Sequence, residues 1–266
     1  MSNGTEKLIN QLAKKATLCG SQPSIPMSPV WHLGKMAAFG NKSSYKLIQD
    51  TLDYLSCKAK SKTQFEDSEK EFLIEMYEAF WWGGKVKGLP EAAKLANHYV
   101  NGGGRPTELD SYVYQNSPIV QKTLLAIKSY IEDIADNSIF PLNISSKDQG
   151  FLKSKYAVPL RNMNFRTEGK LKLGGVLEAA QSDHRLHKTD AHFYLSSVTD
   201  RVGERFRTQW SVRSAYDFEP YEKHDYYTLL PLDDFEVRID DGLSHYMTVL
   251  GIANAFTHTS KWSEQW

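Results

Sequence analysis

The chain has 266 residues, of which 41% are hydrophobic and 12% aromatic, enough to bury a core as one large domain or two modest ones. Its 32 Lys and Arg balance 32 Asp and Glu, so no overall basic field favours nucleic acid. No stretch approaches the roughly 20 consecutive apolar residues of a membrane-spanning helix. Met1-Ser2-Asn3-Gly4-Thr5-Glu6 carries neither the basic flank nor the apolar run of a cleavable signal peptide. Cys19 and Cys57 lack CxxC spacing and read as ordinary thiols.

In chain order, Leu8, Ile9, Leu12 and Ala13 recur at helical spacing between Thr5 and Lys15, and the prolines of Ser21 to Pro29 then end regular structure. Helical periodicity returns at Tyr45, Leu47, Ile48, Leu52 and Leu55. It returns again at Phe72, Leu73, Met76, Tyr77 and Phe80, with Gly83-Gly84 read as the stop. Pro90 opens a further helix over Glu91 to Val100, closed by Asn101-Gly102-Gly103-Gly104. Pro118 opens one with Val120, Leu124, Ile127, Ile131 and Ile134 on one side.

After Pro141 the texture changes. From His192 to Tyr216, Phe193, Leu195, Val198, Val202, Phe206, Trp210 and Val212 fall in the short alternations of strands, and Phe235 to Ile239 adds another. Asp240-Asp241-Gly242 opens a helix over Leu243 to Phe256. The fold class is α+β: a helical N-terminal half, then an antiparallel β-rich half, partly open and barrel-like, closed by a C-terminal helix.

Walker-type, His-Glu-x-x-His and Gly-x-Ser-x-Gly motifs are absent from the sequence. Gly102-Gly103-Gly104 with Arg105 offers backbone N–H groups to an anion, yet it follows a helix instead of preceding one, and reads first as a helix stop. His184, His187 and His192 with Asp183 and Asp190 form either a metal set or a polar hairpin tip. The densest polar cluster runs from Arg213 to Asp225, off a strand end and into a loop. There Asp217 supplies an anionic ligand or base and His224 a proton carrier near neutral pH. The same segment also reads as a solvated loop with Tyr216 and Phe218 packed on the core.

Several of these features resemble the colicin M family, bacteriocins that hydrolyse the lipid-linked peptidoglycan precursor lipid II in the periplasm. Ala96 to Gly104, with its His98-Tyr99 and glycine turn, resembles the start of that family's catalytic half. Phe140-Pro141, Thr167-Glu168-Gly169-Lys170-Leu171, the Tyr216-Asp217-Phe218 step and a helix over Gly242 to Phe256 follow in the same order. The resemblance covers roughly residues 90 to 256. It implies an antibacterial phosphoesterase assisted by a divalent cation such as Mg²⁺, acting on a lipid-linked substrate at the membrane surface, with a cognate immunity protein as partner. Residues 1–90 then form a helical delivery or accessory region and residues 91–266 the toxin domain, or the two make one continuous body. The protein is expected to be secreted or injected without a cleavable signal and to act in the periplasm of a target bacterium.

The departures are specific. Ser214 stands where the family has an Asp, His224 comes seven residues after Asp217, and Asp225 follows it where the family has an Arg. The expected site is therefore Asp217 and Asp225 as metal ligands, with Tyr216 orienting the phosphate and Arg213 neutralising it. His224 carries the proton and His245 is its rival. Two further readings stand beside this one. One is a membrane-perturbing effector anchored by Phe80-Trp81-Trp82 and by Trp262 to Trp266; the other is a non-enzymatic binding or delivery module of a phage or secretion particle.

Overall fold

A computed structural model describes residues 19, 42–86, 90–115, 117–159, 193–218, 226–232 and 235–266. In chain order these form α1 (Lys42–Lys60), α2 (Asp67–Val86), α3 (Pro90–Asn101), β1 (Thr107–Glu108), α4 (Ser111–Gln115) and α5 (Pro118–Ile134). A 3-10 turn (Ala135–Asn137) leads to β2 (Leu142–Ser145) and α6 (Gln149–Lys153). Then come β3 (Phe193–Val202), β4 (Arg205–Tyr216), β5 (Tyr226–Leu232), β6 (Phe235–Asp240), α7 (Asp241–Val249) and β7 (Phe256–Gln265). The α+β class is that read from the sequence. The chain divides into two compact units, each built from two pieces: Met1–Gly103 with Phe218–Asn254, and Gly104–Asp217 with Ala255–Trp266.

In the first unit, α1 buries Ile48, Leu52, Leu55 and Ala59, the i, i+4, i+7 stripe of an amphipathic helix, against β6 and α7. Lys58 and Lys60 in its last turn and Asp67 and Glu69 in the first turn of α2 suit the two helix dipoles. Glu69 is fully buried. Its Oε2 accepts the Glu66 N–H at 2.7 Å and lies 2.6 Å from Lys58 Nζ, so both charges keep partners inside the core. Helix α2 continues through Gly83-Gly84 to Val86 instead of stopping there, because two glycines cost only about 1 kcal/mol each in a helix already held by Phe72, Leu73, Met76 and Tyr77. The stop comes after α3, where Gly103 and Gly104 take φ of 60° and 74°. Strands β5 and β6 pair as an antiparallel hairpin with a register shift between Thr228 and Leu230.

The cysteines correct the thiol reading: Cys19 is disulfide-bonded to Cys57 of α1, with Cα atoms 5.6 Å apart. Sequence spacing was silent because the pairing is tertiary, across 38 residues.

The second unit is a five-stranded sheet ordered β1-β7-β4-β3-β2, antiparallel except where β1 runs parallel to β7. Among the described residues it is open, with β1 and β2 at its edges. Strands β3 and β4 form a hairpin around Gly203, at φ 65°. Alternation puts Phe193, Leu195, Trp210, Val212, Phe256 and His258 on one face, where α5 covers β3 and α4 covers β7. Helix α5 begins at the cap Ser117, whose side chain accepts the Val120 N–H, and buries Val120, Leu124, Ile127 and Ile131 as its spacing predicts. The Phe140-Pro141 peptide is cis, and the Phe140 ring stacks on Phe206.

The C-terminus differs from expectation. The last helix stops at Val249, and the chain finishes in β7, an interior strand of the sheet. Trp266 packs on Phe206 at 4.8 Å and donates Nε1–H to Thr208, while Trp262 lies opposite Trp210 in the ladder. Of the aromatic segment Phe80-Trp81-Trp82 only the helical backbone is described. No described helix is long and apolar enough to cross a membrane.

Candidate functional site

Strand β4 carries Arg213, Ser214 and Tyr216 to its end, and alternation sends them to opposite faces. Arg213 is exposed, on the face opposite the one that α4 and α5 cover. Ser214 and Tyr216 are buried on the covered one, Tyr216 with no exposed surface and its ring stacked on Phe256 at 4.9 Å. Asp217 is the first residue past the strand and is exposed. The sheet thus delivers the motif's carboxylate to water and uses the motif's tyrosine as a wedge in the core. Arg213 lies four residues back, about 13 Å along an extended strand.

After Asp217 the chain enters the first unit, and Phe218 is anchored there at once. Its side chain is buried against Tyr99, ring centroids 4.9 Å apart, and its carbonyl lies 2.8 Å from His245 Nδ1 on α7. A carbonyl only accepts, so the proton of neutral His245 is on Nδ1, and Nε2 is left with a lone pair for a proton or a cation.

The helix that carries His245 is itself tightly fixed. Asp240 caps it by accepting the Gly242 N–H at 2.8 Å. The buried Asp240 carboxylate also lies 3.4 Å from Lys60 Nζ, which answers its charge. Tyr99 donates its hydroxyl to the Ser244 carbonyl at 2.5 Å and meets Thr248 Oγ1 at 2.8 Å, while Tyr77 meets Ser244 Oγ at 2.9 Å. Tyr99 of the His98-Tyr99 pair, noted in the sequence for its place beside the glycine turn, is therefore a brace for α7. Backbone chemistry adds one more tie, Asn254 N–H to the Tyr99 carbonyl at 2.9 Å.

His224 and Asp225 lie outside the described residues, as do His184, His187, His192 and Thr167 to Leu171. Of the expected residues, the structure describes Arg213, Tyr216, Asp217 and His245, with His245 bonded to the residue that follows Asp217. Among the described residues, no group of three His, Cys, Asp or Glu converges as a closed metal site. A Mg²⁺ ion does not demand one, since it commonly takes one or two carboxylates and completes its shell with water and substrate phosphate oxygens. Exposed Asp217 fits that donor role.

Sequence reasoning passed over His258. It sits on β7 opposite Ser214, has no exposed surface, and shares a 2.5 Å hydrogen bond between Nδ1 and the Tyr114 hydroxyl. Burial pushes its pKa down to about 3, so it is neutral at physiological pH. Its signal in the sequence was the alternation of Phe256, His258, Ser260 and Trp262 with Thr257, Thr259, Lys261 and Ser263.

No known protein family, curated protein or solved structure matches the chain. The resemblance to colicin M stands on its short motifs alone.

Proposed function

We propose that the chain is an antibacterial toxin of colicin M-like type, a phosphoesterase that cleaves lipid II between its undecaprenyl and pyrophosphate groups in the periplasm of a target bacterium. The observation that supports it is the His245 Nδ1–H bond to the Phe218 carbonyl, one residue beyond exposed Asp217. That bond puts the proton of neutral His245 on Nδ1, the tautomer in which Nε2 serves as a general base.

In this reading His245 Nε2 takes a proton from water as the water oxygen attacks phosphorus. The P–O bond to the lipid alcohol breaks, and the departing alkoxide is protonated, either by that imidazolium or by His224. A bound divalent cation would supply charge neutralisation at the pyrophosphate, with Asp217 and Asp225 as its carboxylates. Arg213 adds cationic charge on the same strand, and Tyr216, buried as it is, positions Asp217 through the backbone. Producing such a toxin calls for a cognate immunity protein in the producing cell.

The test is incubation of the full chain with labelled lipid II and Mg²⁺, beside an EDTA control and the variants Asp217→Ala and His245→Gln. Expected is metal-dependent release of undecaprenol that both variants lose. Release that survives Asp217→Ala, or none from the unaltered chain, overturns the proposal.

A further inference from the structure

Among the described residues, no helix of the second unit covers the other face of the five-stranded sheet. Register sets four cross-strand rows on it: Tyr194–Arg213–Thr259, Ser196–Ser211–Lys261, Val198–Gln209–Ser263 and Asp200–Arg207–Gln265. The exposed face of a sheet is ordinarily stabilised by β-branched, aromatic or long side chains that touch across strands. Here the two middle rows set Ser196, Ser211 and Ser263 beside Val198, Gln209 and Lys261. Along them lies a groove of about 430 Å³ whose lining includes Ser196, Gln209, Ser211 and Ser263 and also Trp210 and Trp262.

Arg207 and Arg213 stand in the end rows, about 20 Å apart along β4, and Lys261 flanks the middle. Among the described residues no carboxylate forms an ion pair with either arginine, although Asp200 lies opposite Arg207 in the register. Lys261 reaches only Glu108, at 3.9 Å with both groups largely exposed. Tyr194, 37% exposed, offers one side of its ring from β3, and Lys147 Nζ lies over that ring. Hydroxyl and amide groups that both donate and accept match a ligand rich in hydroxyls. Guanidinium groups left without partners match carboxylate or phosphate.

We infer that this groove binds a linear glycan whose sugars bear acidic groups. The ligand lies along β4, with its hydroxyls over Ser196, Gln209, Ser211 and Ser263 and its acidic substituents toward Arg207, Lys261 and Arg213. The site is distinct in chemistry from the Asp217 step, sharing only Arg213 with it, and does not depend on the hydrolytic reading.

Calorimetric titration of the full chain at low salt tests it, with tetragalacturonate as the acidic probe and maltotetraose as the neutral one. Inorganic phosphate and phosphatidylglycerol vesicles complete the set. Ser211→Phe fills the groove, Arg207→Gln removes one rim charge, and Arg201→Gln removes an equal charge held by Asp136 instead. Expected is saturable binding of tetragalacturonate, at least tenfold tighter than maltotetraose. That binding should weaken at least tenfold in Ser211→Phe and in Arg207→Gln, and be unchanged in Arg201→Gln, with circular dichroism melting curves alike. Three outcomes overturn the inference: no binding of tetragalacturonate, phosphate binding as tightly with the same variant losses, or vesicle binding lost in Ser211→Phe in place of glycan binding.

Discussion

His245 of the first unit and His258 of the second have the same side chain and nearly opposite surroundings. His245 is half-buried on a helix braced by Tyr77, Tyr99 and Asp240, and gives one nitrogen to a carbonyl while the other keeps its lone pair. His258 is sealed between strands under α4, bonded to Tyr114, and burial drives its pKa to about 3. The contrast teaches that proximity to hydroxyls, which His258 has in Ser214 and Tyr114, does not make a proton carrier. An imidazole must be able to exchange its proton with solvent or substrate near pH 7, and full burial forbids it.

Acid titration sharpens this contrast most. Above pH 6.5 His258 is neutral folded or unfolded. Between 6.5 and 3 the unfolded chain takes up a proton that the folded one refuses, so stability falls as pH falls through that window. The loss reaches on the order of 5 kcal/mol near pH 3. Urea midpoints followed by hydrogen exchange in β4 and β7 should drop from pH 7.5 to 4.5, and His258→Gln should flatten the slope. A slope unchanged in that variant would break the comparison.

The disulfide gives the opposite probe. Cys57→Ser removes a constraint across 38 residues, worth about 4 kcal/mol by loop-closure entropy, and its effect should fall on exchange in α1 and not on the sheet. Smaller in stability is His245→Gln, which forfeits one partly buried hydrogen bond and costs about 1 kcal/mol. Its expected effect on lipid II cleavage is a loss of about a hundredfold or more, measured as kcat with KM little changed. Smallest is Arg201→Gln. Its pair with Asp136 is exposed on both sides, so thermal melting should move by the equivalent of about 0.5 kcal/mol or less.

What the sequence disclosed follows the range of the interactions involved. Helix α5 was legible because Pro118 and the stripe from Val120 to Ile134 are local signals, while its cap Ser117 came only with the structure. The strand character of β3 and β4 was legible from alternation between His192 and Tyr216, but their turn at Gly203 was not read. Strand β7 was not, since its neighbour β1 lies some 150 residues earlier in the chain and its tryptophans could as well have met a membrane. Of the candidate site, Asp217 was singled out by its place past a strand end. The reason to favour His245 was hidden, because a bond to the Phe218 carbonyl 27 residues away leaves no trace in local spacing. Tyr216 was read two ways, as a group orienting phosphate and as a side chain packed on the core, and the parity of β4 puts it in the core.

The bond between Cys19 and Cys57 also makes the stretch between them a closed covalent ring. A protease that cuts one peptide bond inside that ring opens it without releasing a fragment. Such a nicked chain would run at full mass on a non-reducing gel and fall into two pieces only after a thiol is added.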